Sequence, residues 1–378
     1  MKKETKKYMN RQKNKRVIIS GGGTGGHVFP AIAIANALKK LEPSLEILFV
    51  GALGRLEMEL VPKAGYNIVG LPVAGINRKN PLKNISVLWK FIKSLRTAGT
   101  ILRDFKPDVV VGVGGYASGP VIKKALSMKI PVLIQEQNSY AGITNRLFAK
   151  KASVICVAYD GMEKYFPASR IIKTGNPLRQ SLGDIEGLKD EALRYFNIKS
   201  GKPVILVLGG SLGAGSINKC LAENIEKIRE SSLYWIWQTG RNYFEDINAL
   251  VSVTQSENIS VYPFIERMDL AYSAADIIIS RAGAGTISEL CLVGKPVILV
   301  PSPNVAEDHQ TRNAMALAEK EAAVIVRDSE VNQKLIDEVL SLADDIGKRN
   351  KLSENIRKLA MADADLRIAE EVIKLIDR

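Results

Sequence analysis

From residue 16 onward, short runs of aliphatic, largely β-branched residues alternate with longer stretches whose apolar positions recur every three to four residues. The runs at 16–19, 46–50, 67–71, 109–111, 132–135, 154–158 and 171–173 predict strands, and the stretches 30–40, 57–64, 84–104 and 140–150 predict helices between them. A second series of strands is predicted at 203–208, 234–238, 259–262, 277–280, 297–300 and 323–325, again with helices between. Such alternation predicts an α/β fold whose parallel sheets are covered on both faces. Both series open alike: a buried strand (RVIIS; PVILVLG) runs into a glycine-rich turn (GGGTGG; GGSLGAG) and then a helix. Two Rossmann-like domains in tandem follow, 16–177 and 178–361, joined near Gly175-Asn176-Pro177, where glycine and proline interrupt regular structure. A last helix, about 365–374, ends the chain, and its own pattern does not say where it packs.

Composition narrows the class. A chain of 378 residues is long for one core and suits two domains, and 46% hydrophobic with 25% charged residues is a globular balance. Cys156, Cys220 and Cys291 are far apart, with no CxxC pair, which points to packing residues in a reducing compartment rather than a metal cluster. The formal charge is +13, but residues 1–16 hold eight Lys/Arg against Glu4 alone, so more than half of the excess lies in the first few residues. Residues 1–15 read as a disordered basic tail, either a solubilising extension or an aid to binding an anionic surface. No run of about 18 apolar residues occurs, so any membrane contact is expected to be peripheral. Nucleic-acid binding is not expected, because no stretch interleaves aromatic and basic residues as a recognition motif.

The candidate chemistry sits at predicted strand ends. In Ser20-Gly21-Gly22-Gly23-Thr24-Gly25-Gly26-His27, the glycines at 21, 23 and 26 satisfy GxGxxG, a turn that presents backbone N–H groups to phosphate. A dinucleotide site would also need an acidic residue at the tip of the second strand, and ILFV-Gly51-Ala52 has none there. His27 heads the following helix, where the macrodipole favours neutral imidazole; it serves either as a base for an acceptor hydroxyl or as a hydrogen-bonding cap. A second glycine-rich turn, Gly112–Pro120, carries Gly114, Gly115, Tyr116 and Ser118 and is expected to converge with the first, which suits a diphosphate. Gln135-Glu136-Gln137-Asn138 places four polar side chains at one strand end, as a sugar-reading cluster would.

In the second half, Gly209–Ala214 repeats the strand–loop–helix logic, with Ser211 placed for a phosphate. Ser280–Glu289 is another such turn: Thr286 and Ser288 are candidates for phosphate and Glu289 for ribose hydroxyls, or else Glu289 is an ordinary helix N-terminal charge. Gln310 and Asp308, after the strand at 297–300, are candidates to read sugar hydroxyls, the alternative being a solvated helix start.

Together GGGTGGHVFPAIAIA, GVGGYASGP, QEQNSYAGITN, TGNPLR, LGGSLGA, SRAGAGTISEL and EDHQTRNA resemble, in order and spacing, the MurG family of bacterial cell-wall N-acetylglucosaminyltransferases. The resemblance covers nearly all of the chain after residue 16. It implies a GT-B fold, two Rossmann-like domains with parallel sheets facing across a cleft, with the C-terminal helix (362–378) packing back on the N-terminal domain. It implies UDP-GlcNAc as donor, a lipid-linked acceptor (lipid I), lipid II as product with inversion, no cofactor and no metal, and a peripheral place on the cytoplasmic face of the inner membrane. Matched position by position, the donor contacts are Thr24, Gly25, Gly26, Asn138, Arg179, Ser211, Ile265 through its backbone, Ala284, Gly285, Thr286, Ile287, Ser288, Glu289 and Gln310. Arg179 suits a diphosphate clamp. The acceptor is assigned to Gly114, Gly115, Tyr116, Ser118 and Glu136, and the base to His27.

Three positions depart from the family. Gln135 stands where many members have His, which puts more weight on His27; Gly285 stands where larger residues are common; and Thr311 follows Gln310 where some members have a second Gln. For the membrane, residues 77–106 offer Arg78, Lys79, Lys83, Lys90, Lys93, Arg96, Arg103 and Lys106 against Asp104, with Trp89 or Phe91 as apolar anchors.

Overall fold

The computed structural model of the protein describes residues 15–73, 84–178, 185–199, 201–210, 212–305 and 308–378, with side chains left out at 84–88 and 186. The chain divides into two compact units: Met1–Leu178 together with Asp363–Arg378, and Arg179–Ala362.

The first unit is built on a seven-stranded sheet: β1 (Arg16–Ser20), β2 (Glu46–Ala52), β3 (Asn67–Leu71), β4 (Val109–Gly112), β5 (Val132–Glu136), β6 (Val154–Val157) and β7 (Ile171–Lys173), in the order β3-β2-β1-β4-β5-β6-β7. Every pairing is parallel. Alternate residues of β1 serve opposite faces. Val17 and Ile19 pack with Ile34 and Leu38 of the helix Gly25–Leu41, whereas Ile18 packs with Leu102 and Ile122 from helices on the other side. This two-sided burial is why the strands read as continuous apolar runs, and each such side chain contributes about 1.5–3 kcal/mol. The final helix, Ala364–Ile376, adds Ile368, Ala369, Val372 and Leu375 to the core beside Gly25–Leu41. Lys15 belongs to the folded unit rather than to a tail, since it pairs with Asp377 at 2.7 Å; residues 1–14 lie outside the described residues.

The second unit repeats the plan with β8 (Val204–Leu208), β9 (Tyr234–Gln238), β10 (Ile259–Tyr262), β11 (Ile277–Ser280), β12 (Val297–Leu299) and β13 (Val324–Ile325), in the order β10-β9-β8-β11-β12-β13. Its pairings are likewise parallel. Each sheet reverses its winding beside its first strand, between β1 and β4 and between β8 and β11. Open α/β sheets bind ligands at the carboxyl ends of strands beside that reversal. The four glycine-rich segments follow β1, β4, β8 and β11.

Two helices differ from the sequence expectation. The first begins at Gly25, five residues before position 30, because the Thr24 carbonyl accepts from both His27 N and Val28 N and draws the two glycines into the first turn. The helix expected over 140–150 is only Ile143–Phe148, because the preceding chain is held as a loop by the carboxylate of Glu136, which accepts from Gly142 N at 2.9 Å.

Candidate functional site

In the first unit the turn after β1 and the turn after β4 interlock. A Cβ on Gly115, whose φ is +82°, would fall 2.2 Å from the carbonyl oxygen of Gly22, and one on Gly21 would fall 2.1 Å from a methyl of Val113. A Cβ on Gly114 (φ +91°) would lie 2.9 Å from Nε2 of His27, so the imidazole edge rests against the second loop. Thr24 Oγ1 lies 3.1 Å from His27 Nδ1. Thr24 and Gly26 are exposed, and Tyr116 projects with 59% of its surface exposed. Ser118 is different: it is buried and its hydroxyl donates to the Gly115 carbonyl at 3.0 Å, so it shapes the loop it was expected to serve as a ligand donor.

A carboxylate missed in the sequence completes this turn. The tip of β2 has no acidic residue, yet Glu57, the first residue of the helix Glu57–Lys63, folds back onto it. Its Oε1 accepts from Ala52 N at 2.8 Å and its Oε2 from Gly23 N at 2.9 Å, and it is 1% exposed. Both oxygens are engaged by backbone, so this acid is not available to a ribose. Gly23 N–H, expected to face a phosphate, is engaged as well. In the helix's first turn His27 N–H is engaged by the Thr24 carbonyl, and the amides of Gly25 and Gly26 precede it as donors for an anion.

The polar run after β5 is a network rather than a row of ligands. Gln135 donates to Asn176 Oδ1 at 3.1 Å, Asn176 donates to the Gln137 carbonyl at 3.0 Å, and Gln137 donates to the Val113 carbonyl at 2.8 Å and to Gln135. Glu136 is 2% exposed; one oxygen accepts from Asn138 N, the other from Gly142 N and from Asn145 Nδ2 at 2.8 Å. Burial pushes its carboxyl above the ordinary range, against the pull of those donors. Glu136 therefore holds the loop that carries Asn138 and does not itself reach an acceptor.

In the second unit one guanidinium ties the loops together. Arg281 donates to Asp328 Oδ1 at 2.5 Å, to Ser216 Oγ at 2.8 Å and to the Val300 carbonyl at 3.1 Å. Ser216 in turn donates to Asp328 at 2.5 Å. The next residue, Ala282, is gripped by its N–H to Gln310 Oε1 at 3.3 Å, and the same oxygen accepts from Ser302 N at 2.9 Å. The helix Ala284–Val293 starts on Gly283, and its first turn carries the amides of Ala284, Gly285 and Thr286. A Cβ at Gly285 meets nothing within 4 Å, so this helical position has room for the larger residues common in the family. Ser288 donates to the Ala284 carbonyl at 3.0 Å, and Glu289 accepts from Tyr272 at 3.2 Å. Ile287 is buried under the turn. Ile265 is buried with its N–H engaged by Gln238 Oε1 at 3.0 Å.

Arg179 and Ser211 lie outside the described residues, as do Arg78, Lys79 and Lys83 of the basic stretch. Within that stretch Ala98 and Leu102 are core, whereas Trp89 is 69% exposed beside exposed Lys90. Among the described residues no helix is long and apolar enough to cross a membrane, and no three His, Cys, Asp or Glu side chains gather as a metal site. The three thiols are buried and pushed up, Cys156 and Cys291 to about 12 and Cys220 to about 11, chiefly by burial.

The glycosyltransferase family 28 N-terminal domain matches residues 17–157, and the C-terminal domain of the same family matches residues 204–368. A protein of Bacteroides thetaiotaomicron is 56% identical over 97% of this chain and 99% of its own length. Another, of Flavobacterium psychrophilum, is 49% identical over 96% of this chain and 98% of its own. Both are named UDP-N-acetylglucosamine–N-acetylmuramyl-(pentapeptide) pyrophosphoryl-undecaprenol N-acetylglucosamine transferase. The crystal structure of MurG from Acinetobacter baumannii superposes with a TM-score of 0.79 at 30% identity, over 95% of this chain and 99% of that one. The UDP-GlcNAc 2-epimerase of Neisseria meningitidis, 18% identical with a TM-score of 0.66 over 95% of this chain and 100% of that one, shares the fold alone. Two parallel-sheet α/β units of GT-B type, both family 28 domains and near full-length identity with these transferases place the chain in the MurG family of glycosyltransferases.

Proposed function

We propose that the protein transfers GlcNAc from UDP-GlcNAc to the 4-hydroxyl of the MurNAc of undecaprenyl-pyrophosphoryl-MurNAc-pentapeptide, giving lipid II and UDP with inversion. The observation that carries this is the 56% identity, over 97% of the chain, to a transferase named for that donor and acceptor. The labour is divided between the units. The C-terminal unit holds the donor through the first turn at Ala284, Gly285 and Thr286, through Glu289, the Ile265 carbonyl and the amide nitrogen of Gln310, and through Ser211 and Arg179. Thr24, Gly25, Gly26 and Asn138 of the N-terminal unit add donor contacts, and Gly114, Gly115 and Tyr116 meet the acceptor. Ser118 and Glu136 act behind these loops.

The chemistry is a single displacement. His27 Nδ1–H donates to Thr24 Oγ1, and Nε2 takes the proton from the acceptor 4-hydroxyl. The oxygen attacks the anomeric carbon as the bond to UDP breaks. Helix N-termini and Arg179 stabilise the charge that grows on the departing diphosphate. Because the acceptor is a lipid, the N-terminal unit works at the cytoplasmic face of the inner membrane, with Trp89 and neighbouring lysines at the surface.

The test is transfer of radiolabel from UDP-GlcNAc to a lipid I analogue, with UDP-glucose as control. Labelled lipid II from the first donor alone is expected. Free N-acetylmannosamine and UDP without labelled lipid would overturn the reading in favour of a 2-epimerase.

A further inference from the structure

The buried carboxylate beneath the first glycine-rich turn has a job of its own. Gly22 and Gly51 give it room: a Cβ on Gly22 would fall 2.1 Å from Glu57 Oε1, and one on Gly51 would fall 2.5 Å from Glu57 Cγ. With both sides cleared, the side chain reaches through and ties the loop after β1 (Gly23 N) to the end of β2 (Ala52 N). The same loop presses its Gly22 carbonyl against Gly115, and the adjoining Gly114 lies under the His27 ring. A path of close contacts thus runs from Glu57 through Gly22 and Gly23 to Gly115, Gly114 and His27.

We propose that Glu57 is a positioning residue for the transfer reaction, its two oxygens fixing the turn that sets the His27 imidazole against the acceptor loop. The inference rests on the assignment of His27 as base. Two N–H donors arriving at two oxygens require a carboxylate. Glutamine, of the same size, offers one acceptor oxygen and turns an NH2 toward the second N–H. Aspartate keeps both oxygens but is one methylene short of spanning the gap. Glu57 touches no reacting atom, because its oxygens are buried and engaged.

The full chain carrying Glu57→Gln, His27→Ala, or both, is assayed for kcat with UDP-GlcNAc and a lipid I analogue, and for UDP affinity by calorimetry. Glu57→Gln is expected to lower kcat by about tenfold or more while UDP affinity stays within about twofold of wild type. A merely structural defect would multiply with loss of the base. Positioning of that base predicts instead that the double variant stays within about threefold of His27→Ala alone. Glu57→Gln turnover within twofold of wild type overturns the proposal, and so do losses that multiply. If Glu57→Gln does not fold, Glu57→Asp replaces it in the same cycle. If His27→Ala alone turns over like wild type, the base assignment falls, and the effect of Glu57→Gln on kcat still decides whether Glu57 positions the loops.

Discussion

The two units end their sheets on the same kind of glycine-rich loop, but the turn after β1 and the turn after β11 are held by different means. In the N-terminal unit the loops lock backbone to backbone: Gly115 abuts the Gly22 carbonyl, and a buried carboxylate, Glu57, collects main-chain N–H groups beneath them. In the C-terminal unit the turn after β8 is packed in the same way, a Cβ on Gly213 falling 2.2 Å from the Thr239 carbonyl oxygen, but the turn after β11 is tied by side chains, one guanidinium spanning Ser216, Asp328 and the Val300 carbonyl. Where Gly285 sits, the C-terminal loop has open space around it. At Gly21, Gly22 and Gly115 the first arrangement has no room for an added methyl. The turn after β11 has room at Gly285 and depends on a charged pair behind it.

The sharpest way to break this contrast is Gly115→Ala. The residue has φ +82° and its new methyl would meet a backbone oxygen at 2.2 Å, so the interlock must open. Displacing a reacting group by about an ångström costs roughly 100-fold in rate, and a fall of that order in kcat is expected, with UDP affinity retained. Steady-state kinetics beside a UDP titration measure both. Near-normal turnover would show that the two loops need not touch.

Asp328→Asn tests the other half. The pair is about one-fifth exposed on each side, which places its loss between a surface and a buried ion pair, about 1–2 kcal/mol. If the guanidinium tie sets the spacing of the donor loops, the UDP-GlcNAc KM rises by about tenfold and the acceptor KM stays put. Equal rises in both constants would mean that the tie supports the fold and not the donor.

How much of this was legible in the sequence follows from distance along the chain. Strands buried on both faces, such as Val109–Gly112 and Val204–Leu208, announce themselves as unbroken apolar runs. The glycine loops were legible because each follows such a run directly. The start of the first helix was not, since glycine is a poor helix former and only the Thr24 carbonyl draws Gly25 and Gly26 in. Glu57 stands in the sequence only as the first residue of the helix expected over 57–64, because its bond to Gly23 closes over 34 residues. The Arg281–Asp328 and Arg281–Ser216 contacts close over 47 and 65 residues, beyond any local pattern. Ser118 and Glu136 have the residue types of ligand contacts, and only their burial shows that they serve the loops instead.

A smaller effect concerns Glu136, whose burial raises its carboxyl above the ordinary value of an unfolded chain. The folded state then holds the proton more tightly than the unfolded state. Its stabilising contribution is complete below the unfolded value and is lost as pH rises through the folded one. Thermal melts of wild type and Glu136→Gln from pH 4 to 8 should therefore show the wild-type advantage shrinking as pH rises. An advantage that grows with pH would mean that the hydrogen bonds from Gly142, Asn138 and Asn145 outweigh burial. Either result sharpens the comparison, because no buried carboxylate of this kind is described beneath the loops of the C-terminal unit.

The smallest expected effect is the mirror of the largest. Gly285→Ala adds the same methyl as Gly115→Ala, to a glycine in an equivalent strand-to-helix turn. Here the backbone is already helical, at the second residue of Ala284–Val293, and nothing lies within 4 Å of the new atom. Alanine restricts the unfolded chain and favours the helix, so stability should rise by about 0.4–1 kcal/mol. Backbone N–H groups, not the side-chain position, are what an open first turn offers a diphosphate. The UDP-GlcNAc KM is therefore expected to stay within about twofold of wild type. A tenfold rise would mean that the donor lies against the Cα of Gly285. In that case the turn after β11 is as strict as the one after β1, and the two differ in how they are fastened but not in what they tolerate.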